Sequence, residues 1–232
     1  MATPSRLRRA VEDLALLANV DVARLFRQIE TIDELREALT DLLPGLIATY
    51  GDAAATVAAD WYDDHREALG VTGRFTAIVP EPAPTGGKEL ARWGIGPLFG
   101  AQADRDAAET LVAGGLQRRI ADAARNVVTG SSISDPFSDG WMRIGQGDNC
   151  PFCNLLIGRG EVYSETSVTF ASHDHCNCMA APAFGGLPRP VSLDESGVRL
   201  DASKRRDRSD PNQRADSNAG ARDWIESHPD AG

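Results

Sequence analysis

The sequence predicts an α+β protein with an N-terminal helical domain, a small cysteine-rich β-hairpin module and a disordered C-terminal tail. Three observations support this fold class. Apolar residues recur at helical spacing through most of the chain up to Val128. All four cysteines fall within Cys150–Cys178, where turn formers and short β-like runs such as Trp141–Ile144 and Val162–Ser164 are close by. After Phe184 the chain becomes polar, with too few apolar residues to offset the entropy of ordering it.

The first part of the chain, residues 3–70, has the apolar periodicity of helices. A new helical segment is expected near Asp21. The sequence TIDE at Thr31–Glu34 has the form of a capping box, so another helix should begin there. Pro44 cannot donate a backbone hydrogen bond, and we therefore expect a kink or a break at this residue.

A second helical region is predicted from Asp104 to Val128. Gly114 and Gly115 lie in its middle, and each glycine costs about 1 kcal/mol in a helix, so another part of the chain should pack closely there. We expect four parts in all: a helical domain at 1–70, a linker with a short helix at 71–103, a long helix plus a Cys/His module at 104–186, and a flexible polar tail at 187–232.

The net charge of −10 disfavours a nucleic-acid-binding protein, because phosphate contacts need a basic surface. The basic run KRRDR at Lys204–Arg208 leaves contact with nucleic acid open for the tail alone. No apolar run approaches the roughly 20 residues that span a bilayer, and no signal peptide is recognisable. We therefore expect a cytosolic protein without membrane contact, in which cysteines are reduced thiols or metal ligands.

The spacing of the cysteines predicts a structural zinc site. Cys150 and Cys153 are expected on one tight turn, and Cys176 and Cys178 project to the same side if that segment is extended. A hairpin between the pairs would bring four thiolates into tetrahedral spacing around one zinc ion. A histidine can replace one cysteine ligand, and the candidates are His173 and His175.

Two other interpretations of the cysteines stay open. The thiols can act as small buried apolar groups that pack the hairpin. Alternatively, a cysteine and a histidine can form a catalytic pair, for which the sequence offers Cys150 or Ser164 with His173. No third residue that would orient the histidine occurs at a recognisable spacing, and we assign no catalytic residue.

A combined motif runs from Trp141 to Phe184. A tryptophan precedes CPFC, an RGEVY segment follows, and the box HDHCNC lies shortly before PAF. In this order the motif resembles the Mu F-like minor capsid, or head morphogenesis, proteins of tailed phages, especially their actinobacterial-phage branch. The resemblance covers roughly residues 105–185. It is carried by Trp141, Cys150, Phe152, Cys153, Arg159, Gly160, Val162, Tyr163, His173, His175, Cys176, Cys178, Pro182 and Phe184.

The resemblance implies a phage or prophage minor capsid protein that acts in head morphogenesis near the portal. It further implies assembly in the host cytoplasm and a place inside the procapsid or virion. The implied partners are the portal protein and other head proteins, including a scaffold or the major capsid protein. Related proteins are often labelled capsid maturation proteases, which is the alternative function here. A nuclease or nucleic-acid-binding module is a third class, which the charge of −10 disfavours.

Overall fold

The computed structural model describes residues 3–99, 101–145, 151–158, 163 and 170–184. Within them the helices are α1 (Pro4–Gln28), α2 (Ile32–Ala68), α3 (Gly87–Gly94), α4 (Arg105–Ser134) and α5 (Pro151–Ile157). The strands are β1 (Trp141–Ile144) and β2 (Met179–Pro182), and a 3-10 turn at Gly96–Phe99 follows α3.

The predicted α+β class is confirmed: a helical N-terminal part is followed by a small antiparallel sheet and a cysteine cluster. In the sheet, Trp141 lies opposite Pro182 and Ile144 lies opposite Met179. The two strands thus flank the cysteine segment and close it as a long loop. Of the predicted run at Val162–Ser164, Tyr163 forms an isolated bridge with Trp141. The predicted tail at 187–232 lies outside the described residues.

Helices α1 and α2 are longer than the sequence suggests. Helix α1 passes through Asp21 without interruption, and α2 contains Pro44 without ending there. Of the kink or break predicted at Pro44, the break is therefore wrong. Apolar packing on both sides of this residue holds the helix together, because Leu43 and Ile47 are buried. The predicted start of α2 is correct, since the Thr31 hydroxyl accepts a hydrogen bond from the amide of Glu34.

Helix α4 ends at Ser134, more than one and a half turns beyond the predicted end at Val128. Most of the added residues are polar and look like a turn in the sequence, yet Thr129, Ser131 and Ser132 are buried. Ser132 Oγ donates to the Val128 carbonyl at 2.6 Å, and Ser131 Oγ accepts from the Ile78 amide at 2.9 Å. Contacts with a distant segment thus extend the helix beyond its local signal.

A buried ion pair fixes the end of α4 to α2. The Asp135 carboxylate accepts from Arg66 Nε at 2.7 Å and from the Tyr62 hydroxyl at 3.3 Å. Arg66 Nη1 also donates to the Gly73 carbonyl at 3.1 Å. Burial and the adjacent Asp135 carboxylate raise the pKa of Tyr62 far above its ordinary value, so its phenol remains a donor.

Helix α4 is central, because it packs against α1, α2, α3 and both strands. One apolar core includes residues from Leu7 in α1 to Ala181 in β2. Trp141 is 1% exposed and stacks on Tyr163 with ring centroids 4.3 Å apart, so it anchors the sheet in this core. The boundaries proposed for the four parts of the chain stay a prediction.

Helix α2 has the length and the composition needed to cross a membrane, with a mean hydropathy of 1.2 over its most apolar window. The core helix of a soluble protein has the same properties. In this fold α2 buries residues from Leu35 to Tyr62 against α1, α3 and α4. Its apolar character is accounted for by this packing.

Candidate metal centre

Three of the four cysteines meet at one buried point. Cys153 is supplied by α5, and Cys176 and Cys178 lie in the loop that leads into β2. Their sulfur atoms all lie within 4.8 Å of one another, and the residues are only 1–2% exposed. The sulfurs of Cys153 and Cys176 are 3.5 Å apart, much farther than in a disulfide bond, so no disulfide joins these two cysteines. Such a group can hold a metal ion.

The other predicted ligands are placed differently. Cys150 lies outside the described residues. His173 Nε2 is 3.7 Å from the sulfur of Cys153, so this imidazole borders the cluster. Cys153 itself lies on a helix, where the sequence predicts a tight turn. The structure thus brings Cys153, Cys176 and Cys178 together and places His173 beside Cys153, outside that group.

His175 faces helix α4 instead. A Cβ atom added at Gly114 would be 2.4 Å from His175 Nε2, so the ring occupies space that only a glycine leaves open. A Cβ atom added at Gly115 would similarly lie 2.3 Å from a methyl group of Leu90. The close packing predicted at this pair of glycines is confirmed.

One stripe of α4 holds the cysteine loop. Apart from the adjacent pair Gln117 and Arg118, its residues recur three or four positions apart and therefore share a helix face. Gln117 Nε2 donates to Asn177 Oδ1 at 2.7 Å, and Arg118 forms an ion pair with Asp174 at 3.3 Å. One turn further, Ser172 Oγ donates to Asp122 Oδ1 at 2.7 Å. The stripe consists of Gly114, Gln117, Arg118, Asp122 and Arg125.

Arg125 makes the most extensive of these contacts, and its side chain is fully buried. Its Nε donates to the Cys178 carbonyl at 2.9 Å, and Nη2 donates to the Cys176 carbonyl at 2.7 Å. Its Nη1 donates to Asp122 Oδ1 at 2.7 Å. One guanidinium group therefore fixes the backbone of both cysteines in the loop.

A second buried arginine approaches from the sheet. Arg143 of β1 is 3% exposed, and its Nη2 donates to the Ala171 carbonyl at 2.6 Å. Its guanidinium carbon lies 3.7 Å from the centre of the Phe170 ring, and that of Arg125 lies 4.9 Å from the same centre. The positive charge of Arg125 acts to lower the pKa of Cys176, and that of Arg143 acts to lower the pKa of Cys178, so both cations favour negative charge in the thiol cluster.

The thiols have unequal acidities. Hydrogen bonds from Cys153 and from Cys178 lower the pKa of Cys176, and Arg125 adds to this effect. For Cys178, a hydrogen bond with Cys153 lowers the pKa, but the bond with Cys176, burial and the neighbouring Cys176 charge raise it more. The cluster therefore stabilises one thiolate before any metal binds, which favours the approach of a cation.

This arrangement suits metal binding better than catalysis. Thiolates are soft ligands that bind zinc strongly, and sulfurs closed off from solvent are typical of structural sites. The sequence identified the sulfur and imidazole groups by residue type. It did not identify Arg125, Asp122 or Arg143 as part of the site. For Arg125 and Asp122, the sequence feature that could have indicated a role was a set of polar residues at helical spacing on a face of α4 that is otherwise buried.

Comparisons with known proteins place the chain in a family. Searches of the curated proteins and of the solved structures each find no match. A family model described as VG15 protein matches residues 2–198, which is most of the chain. The protein therefore belongs to the VG15 protein family, a family of phage gene products.

Proposed function

We propose that this protein is a phage or prophage minor capsid protein that acts in head morphogenesis near the portal. The observation that carries the proposal is the buried thiol cluster inside the segment Trp141–Phe184, which resembles Mu F-like proteins, in a chain of a phage family. Cysteines that are 1–2% exposed suit a structural role. The proposed role is assembly, with no chemical step.

The proposed cofactor is one structural zinc ion, held by the cysteine cluster. A small module with a two-stranded sheet has little core of its own. Zinc binding can supply the missing folding free energy, because the metal site does not exist in the unfolded chain. The zinc would connect α5 to the loop before β2.

The proposed partners are the portal protein and other head proteins, including a scaffold or the major capsid protein. Assembly would take place in the host cytoplasm, and the protein would then lie inside the procapsid or virion. The net charge of −10 makes protein surfaces better partners than packaged DNA, except at the basic run in the tail. No membrane contact is proposed.

Affinity purification tests this assignment. The tagged full chain, expressed from the phage or prophage during head assembly, should recover the portal protein. Mass spectrometry of purified procapsids should in turn detect the tagged chain. A tagged phage protein that is not part of the head serves as the control. Consistent absence of the protein from both procapsids and virions would contradict the proposal.

A capsid maturation protease is the second candidate, because His173 Nε2 lies 3.7 Å from the Cys153 sulfur. Two observations disfavour it. Cys153 is 1% exposed, and a groove of about 810 Å³ between α2 and α4 is lined by neither of these two residues. Co-expression with the major capsid protein separates the candidates. Cleavage that disappears in folded Cys150→Ser, Cys153→Ser or His173→Ala would favour the protease.

A further inference from the structure

The distances around Cys153 match the edges of a tetrahedral metal site. With zinc–sulfur bonds of about 2.3 Å and zinc–nitrogen bonds of about 2.0 Å, two sulfur ligands lie about 3.8 Å apart, and a sulfur and a nitrogen lie about 3.5 Å apart. In this structure the sulfurs of Cys153 and Cys176 are 3.5 Å apart, and His173 Nε2 is 3.7 Å from the Cys153 sulfur. Both separations are close to those between two ligands of one ion. His173 lies outside the group whose ligand atoms are all within 4.8 Å of one another, so its ring has to approach the other sulfurs when the ion binds.

The imidazole of His173 is also prepared for metal binding by its other nitrogen. His173 Nδ1 lies 2.7 Å from the Asp174 carbonyl oxygen, which can only accept a hydrogen bond. Nδ1 therefore carries the proton, and the lone pair of the neutral ring is on Nε2, the atom nearest the Cys153 sulfur. A histidine that binds a metal through one nitrogen commonly donates to a carbonyl through the other.

The turn between His173 and Cys176 separates the two histidines. The Cys176 amide donates to the His173 carbonyl at 3.2 Å, and His175 has a left-handed backbone with φ of 61°. This conformation turns the His175 ring toward Gly114 of α4, while His173 stays beside the sulfurs. The backbone thus assigns different places to two histidines that look equivalent in the sequence.

The charges around the cluster favour a neutral fourth ligand. Arg125 is paired with the Asp122 carboxylate, whereas Arg143 forms no ion pair with any carboxylate in the described part of the chain. The Nε and Nη1 groups of Arg143 are buried without a hydrogen-bond partner. A zinc ion with three thiolates and one imidazole carries a single negative charge, which balances one arginine. A fourth thiolate would add a second, unbalanced negative charge.

We propose that the zinc site consists of three thiolates and one imidazole, from Cys153, Cys176, Cys178 and His173, and that Arg143 supplies its counter-charge. The inference rests on the zinc centre proposed above and names its ligands. Cys150 is then not needed to hold the metal, although the cysteine spacing in the sequence suggests a pair.

X-ray absorption at the zinc edge tests the ligand set directly. Full-length protein, purified reduced and without chelator, should give three sulfur neighbours at about 2.3 Å and one nitrogen neighbour at about 2.0 Å. Cys150→Ser should keep about one equivalent of zinc and the same neighbours. His173→Ala should weaken zinc binding by more than about 100-fold, since loss of a ligand exceeds the usual effect of losing an outer partner.

Two variants serve as controls. His175 lies in the same loop as His173, but its ring faces α4. His175→Ala should therefore leave zinc affinity within about threefold of the wild-type value. His173→Cys should retain zinc with four sulfur neighbours. This variant shows whether residue 173 supplies a ligand even if His173→Ala does not fold. Four sulfur neighbours in the wild-type protein, or loss of zinc in Cys150→Ser, would overturn the assignment.

The outcomes also separate this inference from the proposed function. A site with three sulfurs and one nitrogen in a protein that never enters procapsids would overturn the assembly role alone. Association with the portal together with four sulfur neighbours would overturn the ligand assignment alone. A wild-type protein without bound zinc would overturn both the ligand set and the proposed cofactor.

Discussion

At the scale of single residues, Arg125 connects the core helix to the candidate metal centre. Its side chain is fully buried and donates to two backbone carbonyls and one carboxylate. A buried guanidinium needs such partners, because arginine stays protonated and cannot become neutral when they are lost. Arg125 therefore holds the chain around Cys176 and Cys178 in the geometry that ligands require.

Arg125→Met should destabilise the zinc-loaded protein by about 3–5 kcal/mol, because it leaves the carbonyls of Cys176 and Cys178 and the Asp122 carboxylate without their buried donor. The free energy of unfolding in urea measures this loss.

The matched control is Arg118→Ala, in the same helix, whose ion pair with Asp174 is partly exposed. Its cost should stay within about 1 kcal/mol. Equal losses of unfolding free energy in the two variants would show that the buried contacts of Arg125 stabilise the protein no more than the partly exposed ion pair of Arg118.

At the scale of elements, α3 is held against α2 by a close approach of two backbones. A Cβ atom added at Gly87 would lie 2.6 Å from the backbone nitrogen of Pro44 and 2.9 Å from its Cα atom. Backbone atoms cannot rotate away as the end of a side chain can. The lack of a side chain at Gly87 therefore allows α3 to pack at the point where α2 contains its proline.

Gly87→Ala should destabilise the protein by about 1–3 kcal/mol, the usual cost of inserting a methyl group into packed surroundings. The melting temperature should fall accordingly.

Gly45→Ala provides the comparison, because Gly45 is one residue from Pro44 in α2 and a Cβ atom there meets nothing within 4 Å. This variant should be stabilised by up to about 1 kcal/mol through the higher helix propensity of alanine. A fall in melting temperature in Gly45→Ala as large as that in Gly87→Ala would contradict the packing explanation.

At the scale of the whole molecule, α4 belongs both to the helical core and to the candidate metal centre. It packs against α1 and α2, while its polar stripe holds the cysteine loop. Loss of the metal should therefore destabilise the cysteine loop and the sheet first. The helices before Gly70 bury their own apolar faces and depend less on it.

Removal of zinc by a chelator should unfold the region from about Trp141 to Phe184 and leave α1 and α2 largely intact. Hydrogen exchange with mass spectrometry measures this by region. Zinc added back should restore protection, since a metal that binds only the folded state stabilises it. Cys176→Ser should reproduce the effect of chelation. Simultaneous loss of protection in all the helices would show that the metal supports the entire core.

Local patterns in the sequence were enough to predict part of this structure. The capping box at Thr31–Glu34 set the start of α2, Asp104 marked the start of α4, and alternation marked β1. The cysteines and histidines revealed a candidate metal site by residue type alone. Each of these signals depends on residues that lie within a few positions of one another, so it can be read without knowing the fold.

Tertiary contacts decided the rest. Helix α2 continues through Pro44 and α4 continues past Val128 because distant segments pack there. Arg125 looks like a solvent-exposed helix residue until the fold brings carbonyls from 51 and 53 positions away to its guanidinium. Likewise, His173 and His175 differ only once α4 and the turn between them are in place. Local sequence encodes which groups are present, whereas long-range packing determines which of them meet.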